Sequence, residues 1–157
     1  TTTPDHTGSN VIEFSGNSAV LYGYNNETTE FGFRRMDVDA AGVTVRDVER
    51  SMITGFGVNI EFEAGQVYAT TGTVVDPAGP FLAGTFPEVP SGSVVRPDSS
   101  SGLAFFASRD SSSRIVLLAY NLKTFTFSEG FLLEGLLPSQ SSASLGYEWT
   151  GNFDGCG

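Results

Sequence analysis

One histidine, His6, and one cysteine, Cys156, are all that the chain offers for imidazole or thiolate chemistry. A catalytic serine or cysteine needs a base within hydrogen-bond reach, and His6 stands in the polar stretch "TTTPDHTGS" close to Pro4. The strained elbow Gly-x-Ser-x-Gly is absent, since "SGNSA" (15–19) lacks its second glycine. Zinc sites draw several His or Cys ligands, and one of each is too few. Cys156 has no partner for an intrachain disulfide, so it reads as an inert terminal thiol or as a bridge to another chain.

Carboxylates are more plentiful. Asp37 and Asp39 in "DVDAAG" (37–42) offer the oxygen ligands that calcium prefers. The Asp-x-Asp-x-Asp-Gly pattern nevertheless breaks at its third carboxylate, and no glutamate closes the loop. Glu13, Glu61 and Glu63 are candidates for the carboxylate pair that flanks a glycosidic bond. However, "IEF" occurs at both 12–14 and 60–62, which marks Glu13 and Glu61 as repeated structural positions. "GFG" (55–57) is a fragment of a phosphate-binding glycine loop without the remaining glycine or a following helix. Asn26-Glu27-Thr28 fits an N-glycosylation acceptor on an expected loop. No catalytic, metal or cofactor-binding residue is expected.

The elements that carry these residues follow from composition and pattern. In 157 residues, 39% are apolar and 17% charged, with 19 Gly and 13 Phe, a mixture suited to short strands joined by tight turns. The longest apolar run, Ile115 to Tyr120, is far too short to cross a bilayer as a helix. With 8 Lys and Arg against 18 Asp and Glu, a net charge of −10 offers no cationic footprint for nucleic acid. The same charge repels anionic lipid. Lys123 is the only lysine, and the Ser/Thr/Gly-rich style favours export. The opening Thr-Thr-Thr-Pro, with no Met and no apolar leader, suggests a processed chain or an excerpt of a longer one.

Strand-like runs recur at short intervals. The first set is "NVIEF" (10–14), "AVLYGY" (19–24), "FGFRRMDV" (31–38) and "GVTVRDV" (42–48). A second is "GVNIEF" (57–62), "QVYATTG" (66–72), "TVVD" (73–76) and "PFLAGTF" (80–86). A third is "SVVRP" (93–97), "GLAFFAS" (102–108), "RIVLLAY" (114–120) and "FTFSEGFLL" (125–133). "VRDVERSMI" (45–53) is the best helical window, worth at most a turn or two. The second strand of each set carries an aromatic: Tyr22, Tyr68, Phe106. The third ends in a recurring turn: Asp39-Ala-Ala-Gly42, Asp76-Pro-Ala-Gly79, Asn121-Leu-Lys-Thr124. Asp or Asn opens such a turn because its side chain can bond the backbone two residues on, while Gly accepts positive φ. Phe31, Phe33, Phe105, Phe106, Phe125 and Phe127 are expected to fill the core between sheets.

These features resemble β-propeller blades, which commonly read as a hydrophobic strand, a strand with a central aromatic, and a strand ending Asp-x-x-Thr or Asp-x-x-Gly. "RIVLLAYNLKTFTF" (114–127) is similar to the third and fourth strands of surface-layer and lactonase-like blades, and "VLYGYNNETTEFGFRRMDVDAAGVTV" to segments of large secreted bacterial propellers. The resemblance covers residues 10–133 and departs from the family in having three units, fewer than a closed propeller.

The expected fold is all-β: an antiparallel meander of about three four-stranded propeller-like blades, with a β-sandwich as alternative. An N-terminal arm (1–9) would precede the repeat domain (10–143), whose units span about 10–50, 57–90 and 93–135. A tail or incomplete unit (144–157) would follow. Trp149 and Tyr147 in that tail suit packing on a neighbouring unit better than a carbohydrate platform. The expected function is a non-catalytic extracellular or cell-surface structural or protein-interaction module, partnered by copies of itself or by flanking repeats of a longer chain. One alternative is a self-assembling surface filament that donates residues 1–14 as a strand. The other is a propeller-type hydrolase or carbohydrate-binding domain.

Overall fold

In a computed structural model of the chain, residues 8–134 are described. Among them are twelve strands and no helix, in three antiparallel sheets of four. The first sheet holds β1 (Val11–Phe14), β2 (Val20–Tyr24), β3 (Gly32–Asp39) and β4 (Gly42–Arg50). The middle sheet holds β5 (Ile60–Glu63), β6 (Gln66–Ala69), β7 (Thr73–Asp76) and β8 (Phe81–Thr85). The third holds β9 (Val94–Asp98), β10 (Leu103–Arg109), β11 (Ile115–Asn121) and β12 (Phe127–Leu133). Each is a simple meander in chain order, and none closes into a barrel.

Two apolar layers hold the sheets together, one on each side of the middle sheet. Strand alternation divides its side chains between them. Ile60, Val67, Ala69 and Val75 meet Tyr22, Tyr24 and Phe33 of the first sheet. Tyr68 and Val74 point the other way and meet Val95, Ala104, Phe106 and Tyr120 of the third. We call the face toward the following sheet the front and the other the back. The first strands β1, β5 and β9 lie beside one another, while the fourth strands are largely exposed.

The linkers between sheets are part of the core. The first (51–59) inserts Ile53 and the second (86–93) inserts Phe86, both fully buried. A tyrosine hydroxyl anchors each. Tyr24 Oη donates to the Gly55 carbonyl and Tyr120 Oη to the Pro87 carbonyl, both at 3.0 Å. Burial pushes the Tyr24 phenol up to about 12, so it remains a donor at any ordinary pH.

The window 45–53 is not helical; β4 runs straight through it to Arg50. Opposite β4, Arg35 pairs with Asp47 and Met36 with Val45, leaving Arg46 as an extra residue. That bulge puts Val45 and Val48 on one face, a three-residue spacing that imitates a helix. A bulge recurs between third and fourth strands in the other sheets, where Ala83 and Ser128 are the extra residues.

Candidate functional site

The turn residues are local organisers. Asp39 Oδ1 accepts from the Ala41 amide at 2.8 Å, Asp76 Oδ1 from the Ala78 amide at 2.9 Å, and Asn121 Oδ1 from the Lys123 amide at 2.9 Å. Asn121 also accepts from the Thr124 amide at 3.0 Å. All three close the same ring, side chain to backbone two residues on. The glycines differ. Gly42 has φ +127°, whereas at Gly79 an added Cβ would lie 2.4 Å from the exposed Phe81 ring, which would have to turn away. Asp37 is ion-paired with Arg46, so neither carboxylate of "DVDAAG" is left idle. Among the described residues, no group of three or more His, Cys, Asp or Glu is placed to hold a metal.

Tyr22 and Tyr68 lie on second strands and point forward from their sheets; both are buried. Phe106 also lies on a second strand but points backward, into the layer it shares with Tyr68. Its neighbour Phe105 is the register equivalent. Tyr22 pairs with Glu13, Tyr68 with Glu61, and Phe105 with Arg96 on their respective first strands. On the third strands, Tyr68 and Phe105 pair with residues two before the turn, Val74 and Ala119. The two faces of β10 are both apolar, so adjacent phenylalanines carry no signal of which way each points. Phe33 and Phe106 are fully buried as core residues, whereas Phe127 is half exposed against the Tyr120 ring.

That register aligns a row of charge along the adjacent first strands: Glu13, Glu61, Arg96. Arg96 Nη1 lies 3.6 Å from Glu61 Oε2. Burial, then the neighbouring Glu61 charge, push the Glu13 carboxyl above its ordinary range; the Phe62 backbone hydrogen bond and Arg96 oppose that rise. Glu63 instead accepts from the Ser99 hydroxyl in the turn after β9. His6, Cys156, Tyr147 and Trp149 lie outside the described residues.

Asn26, in the Asn-x-Thr pattern, is packed inside the fold. It is buried, its Nδ2 donates to the Val58 carbonyl at 2.9 Å, and its amide donates to Asn10 Oδ1 at 2.9 Å. The nitrogen that a glycan would occupy instead ties the β2–β3 loop to the first linker.

The outer faces are a second feature with chemical consequence. On the back of the first sheet, Ile12 is 57% and Phe14 53% exposed at one edge and Val43 and Val45 are equally open at the other, while Leu21 and Met36 between them are buried. The front of the third sheet presents Val94 and Phe131, with half-buried Phe105, Ile115 and Leu117 between them. A groove of about 420 Å³ opens here, lined by Ser91, Val94, Ala107, Arg109 and Ile115 among others. Apolar surface of this kind marks interaction sites on soluble proteins.

Fold and faces together define the class: an all-β chain of three four-stranded antiparallel meanders packed face to face, with exposed apolar residues on each outer sheet among the described residues. No protein-family model matches the chain, and no curated protein matches it in sequence.

Proposed function

We propose that the chain is a non-catalytic structural or protein-interaction module, built of three propeller-type blades and associating through its outer faces. One observation carries this reading: Ile12 and Phe14 of the first sheet, and Val94 and Phe131 of the third, expose the same side-chain types that the inner faces bury. The adjacent first strands, the recurring bulges and the repeated Asx turns support the blade assignment. An acidic, lysine-poor and Ser/Thr/Gly-rich composition supports an extracellular or cell-surface setting. Light scattering at micromolar concentration tests it. A particle of more than one chain is expected, and a clean monomer that binds no apolar dye would overturn self-association.

A hydrolase or carbohydrate-binding domain is the second reading, favoured by half-buried Glu13 in the row with Glu61, its proton affinity raised by burial and then by the Glu61 charge. Glycoside cleavage that is lost in Glu13→Gln while association persists would establish it. A filament built by donating residues 1–14 is supported less well, because β1 already pairs with β2 in its own sheet. Deleting residues 1–14 tests that reading, which alone makes assembly depend on the arm.

A further inference from the structure

The back of the first sheet is an outer face, yet its centre is buried. Phe14, Leu21, Met36 and Val45 form one row across all four strands. The two outer members are open, whereas Leu21 is 5% and Met36 6% exposed, and Arg34 beside them is equally buried. Neither Leu21 nor Met36 belongs to the apolar layers between the sheets. The front of the third sheet shows what neighbours within a sheet achieve alone. Its large central side chains, Phe105 and Leu117, keep intermediate exposure. The deeper burial of Leu21 and Met36 therefore calls for a cover on the back of the first sheet.

The chain itself leads onto this face. Asn10 is pinned beside the β2–β3 loop, its Oδ1 accepting from the Asn26 amide at 2.9 Å. Ser9 then lies over β2: a Cβ added at Gly23 would collide with Ser9 Oγ and stand 2.8 Å from Met36 Cε. Gly23 pairs with Arg34, and Leu21 with Met36 is the next pair on the same face. Two residues along a strand are about 7 Å, beyond the reach of a serine side chain. Seven residues precede Gly8 and extend to ~23 Å, against about 14 Å across the axes of four strands. Charge is complementary as well. Arg34 and Arg50 share the Glu30 carboxylate on this face, and the arm carries Asp5 with no Lys or Arg.

We infer that residues 1–7 lie as a strap across the back of the first sheet of their own chain, covering Leu21 and Met36. The occupant is the chain's own arm because Ser9 is already seated on that face and the remaining length spans it. The strap shields the middle of an apolar row that would otherwise run unbroken from Phe14 to Val45. Its removal turns a guarded outer face into an adhesive one. The inference goes beyond the association reading above and does not depend on it, since Ile12, Phe14, Val94 and Phe131 stay exposed beside the strap or on the other outer sheet.

Peroxide oxidation of the two methionines tests the cover, because a thioether shielded from solvent reacts slowly. Met52, partly buried in the first linker, is the internal control. In the unaltered chain, Met36 should oxidise several-fold more slowly than Met52, with no change on dilution. Equal rates would overturn the strap without any variant, and protection that fades on dilution would move the cover to a second copy and overturn it too. Deleting residues 1–9 should bring Met36 to the pace of Met52 and raise binding of an apolar dye. Met36 still protected after the deletion would sink the inference, as would association lost with the arm, which would set the arm between chains. Gly23→Ala gives a thermal readout. It should lower the melting temperature of the intact chain, where the added methyl meets Ser9, and leave that of the shortened chain unchanged or higher. An equal loss in both chains would mean that no strap lies over Gly23.

Discussion

Arg35 of the first sheet donates from Nη1 to the Pro77 carbonyl at 2.8 Å and to that of Ala78 at 3.2 Å, in the turn after β7 of the middle sheet. Asp47 holds the same guanidinium through Nε at 2.9 Å. Asp76 fixes the turn, so a local side-chain bond presents two carbonyls to a cation on the neighbouring sheet. Asp76→Ala should cost about 1 kcal/mol, the scale of one net hydrogen bond. Arg35→Gln should cost roughly 2 kcal/mol, because its bonds are charge-assisted. Urea unfolding of both and of the double variant should show losses that fall short of additive; strict additivity would mean that the turn and the guanidinium act independently.

Phe86 is the hub of the second apolar layer. Its ring lies 5.3–6.4 Å from those of Tyr68, Phe106, Tyr120 and Phe125. Phe86→Ala should lower stability by about 3–5 kcal/mol through the cavity it leaves. The midpoint of denaturant unfolding reads this, and a loss under about 1 kcal/mol would show that the layer collapses around the gap.

Gly72 and Gly92 separate backbone conformation from crowding. Both have positive φ, +90° and +76°, but a Cβ at Gly72 would lie 2.8 Å from the Phe86 carbonyl oxygen, whereas one at Gly92 meets nothing within 4 Å. Gly92→Ala should cost about 1 kcal/mol for the left-handed backbone alone. Gly72→Ala should cost more, because the second linker must shift. Equal losses in thermal melts would remove the steric argument.

Acid should act on the first sheet in two opposed ways. Hydrogen bonds from Arg35 hold the Asp47 carboxyl below its ordinary range, and those from Arg34 do the same for Glu30. Both groups stabilise the fold above their unfolded-state values, and that contribution is lost as pH falls through the depressed folded values. Glu13 has the opposite sign, since its raised folded value makes ionisation unfavourable in the fold. Glu13→Gln should therefore raise the melting temperature at neutral pH, with the gain vanishing as pH falls below the ordinary carboxylate range. A gain that persists in acid would assign it to packing.

Strand positions are legible in the chain because period-two alternation and turn residues are local signals. β10 alternates half-buried and buried from Leu103 to Ser108, and the three Asx turns announce themselves by residue type. Facing is less legible. Phe105 and Phe106 are chemically alike and both strand faces are apolar, so only pairing with Arg96 and counting back from Asn121 separate them. The burial of Asn26 is hidden for a related reason. Its Asn-x-Thr context resembles an open loop, yet the partner that buries it, Val58, is remote in sequence. The charged row of Glu13, Glu61 and Arg96 leaves a partial trace in the repeated "IEF", but its third member has changed sign.

The extra residues Arg46, Ala83 and Ser128 all fall on the exposed fourth strands. A bulge bends and twists its strand and interrupts the regular ladder of amide and carbonyl groups. A straight foreign strand laid along β4, β8 or β12 would lose register within a few residues. Growth by edge-to-edge hydrogen bonding, the route to amyloid, is thereby obstructed at every outer rim. The chain is guarded against polymerising strand by strand while apolar side chains such as Val94 and Phe131 of the third sheet stay exposed.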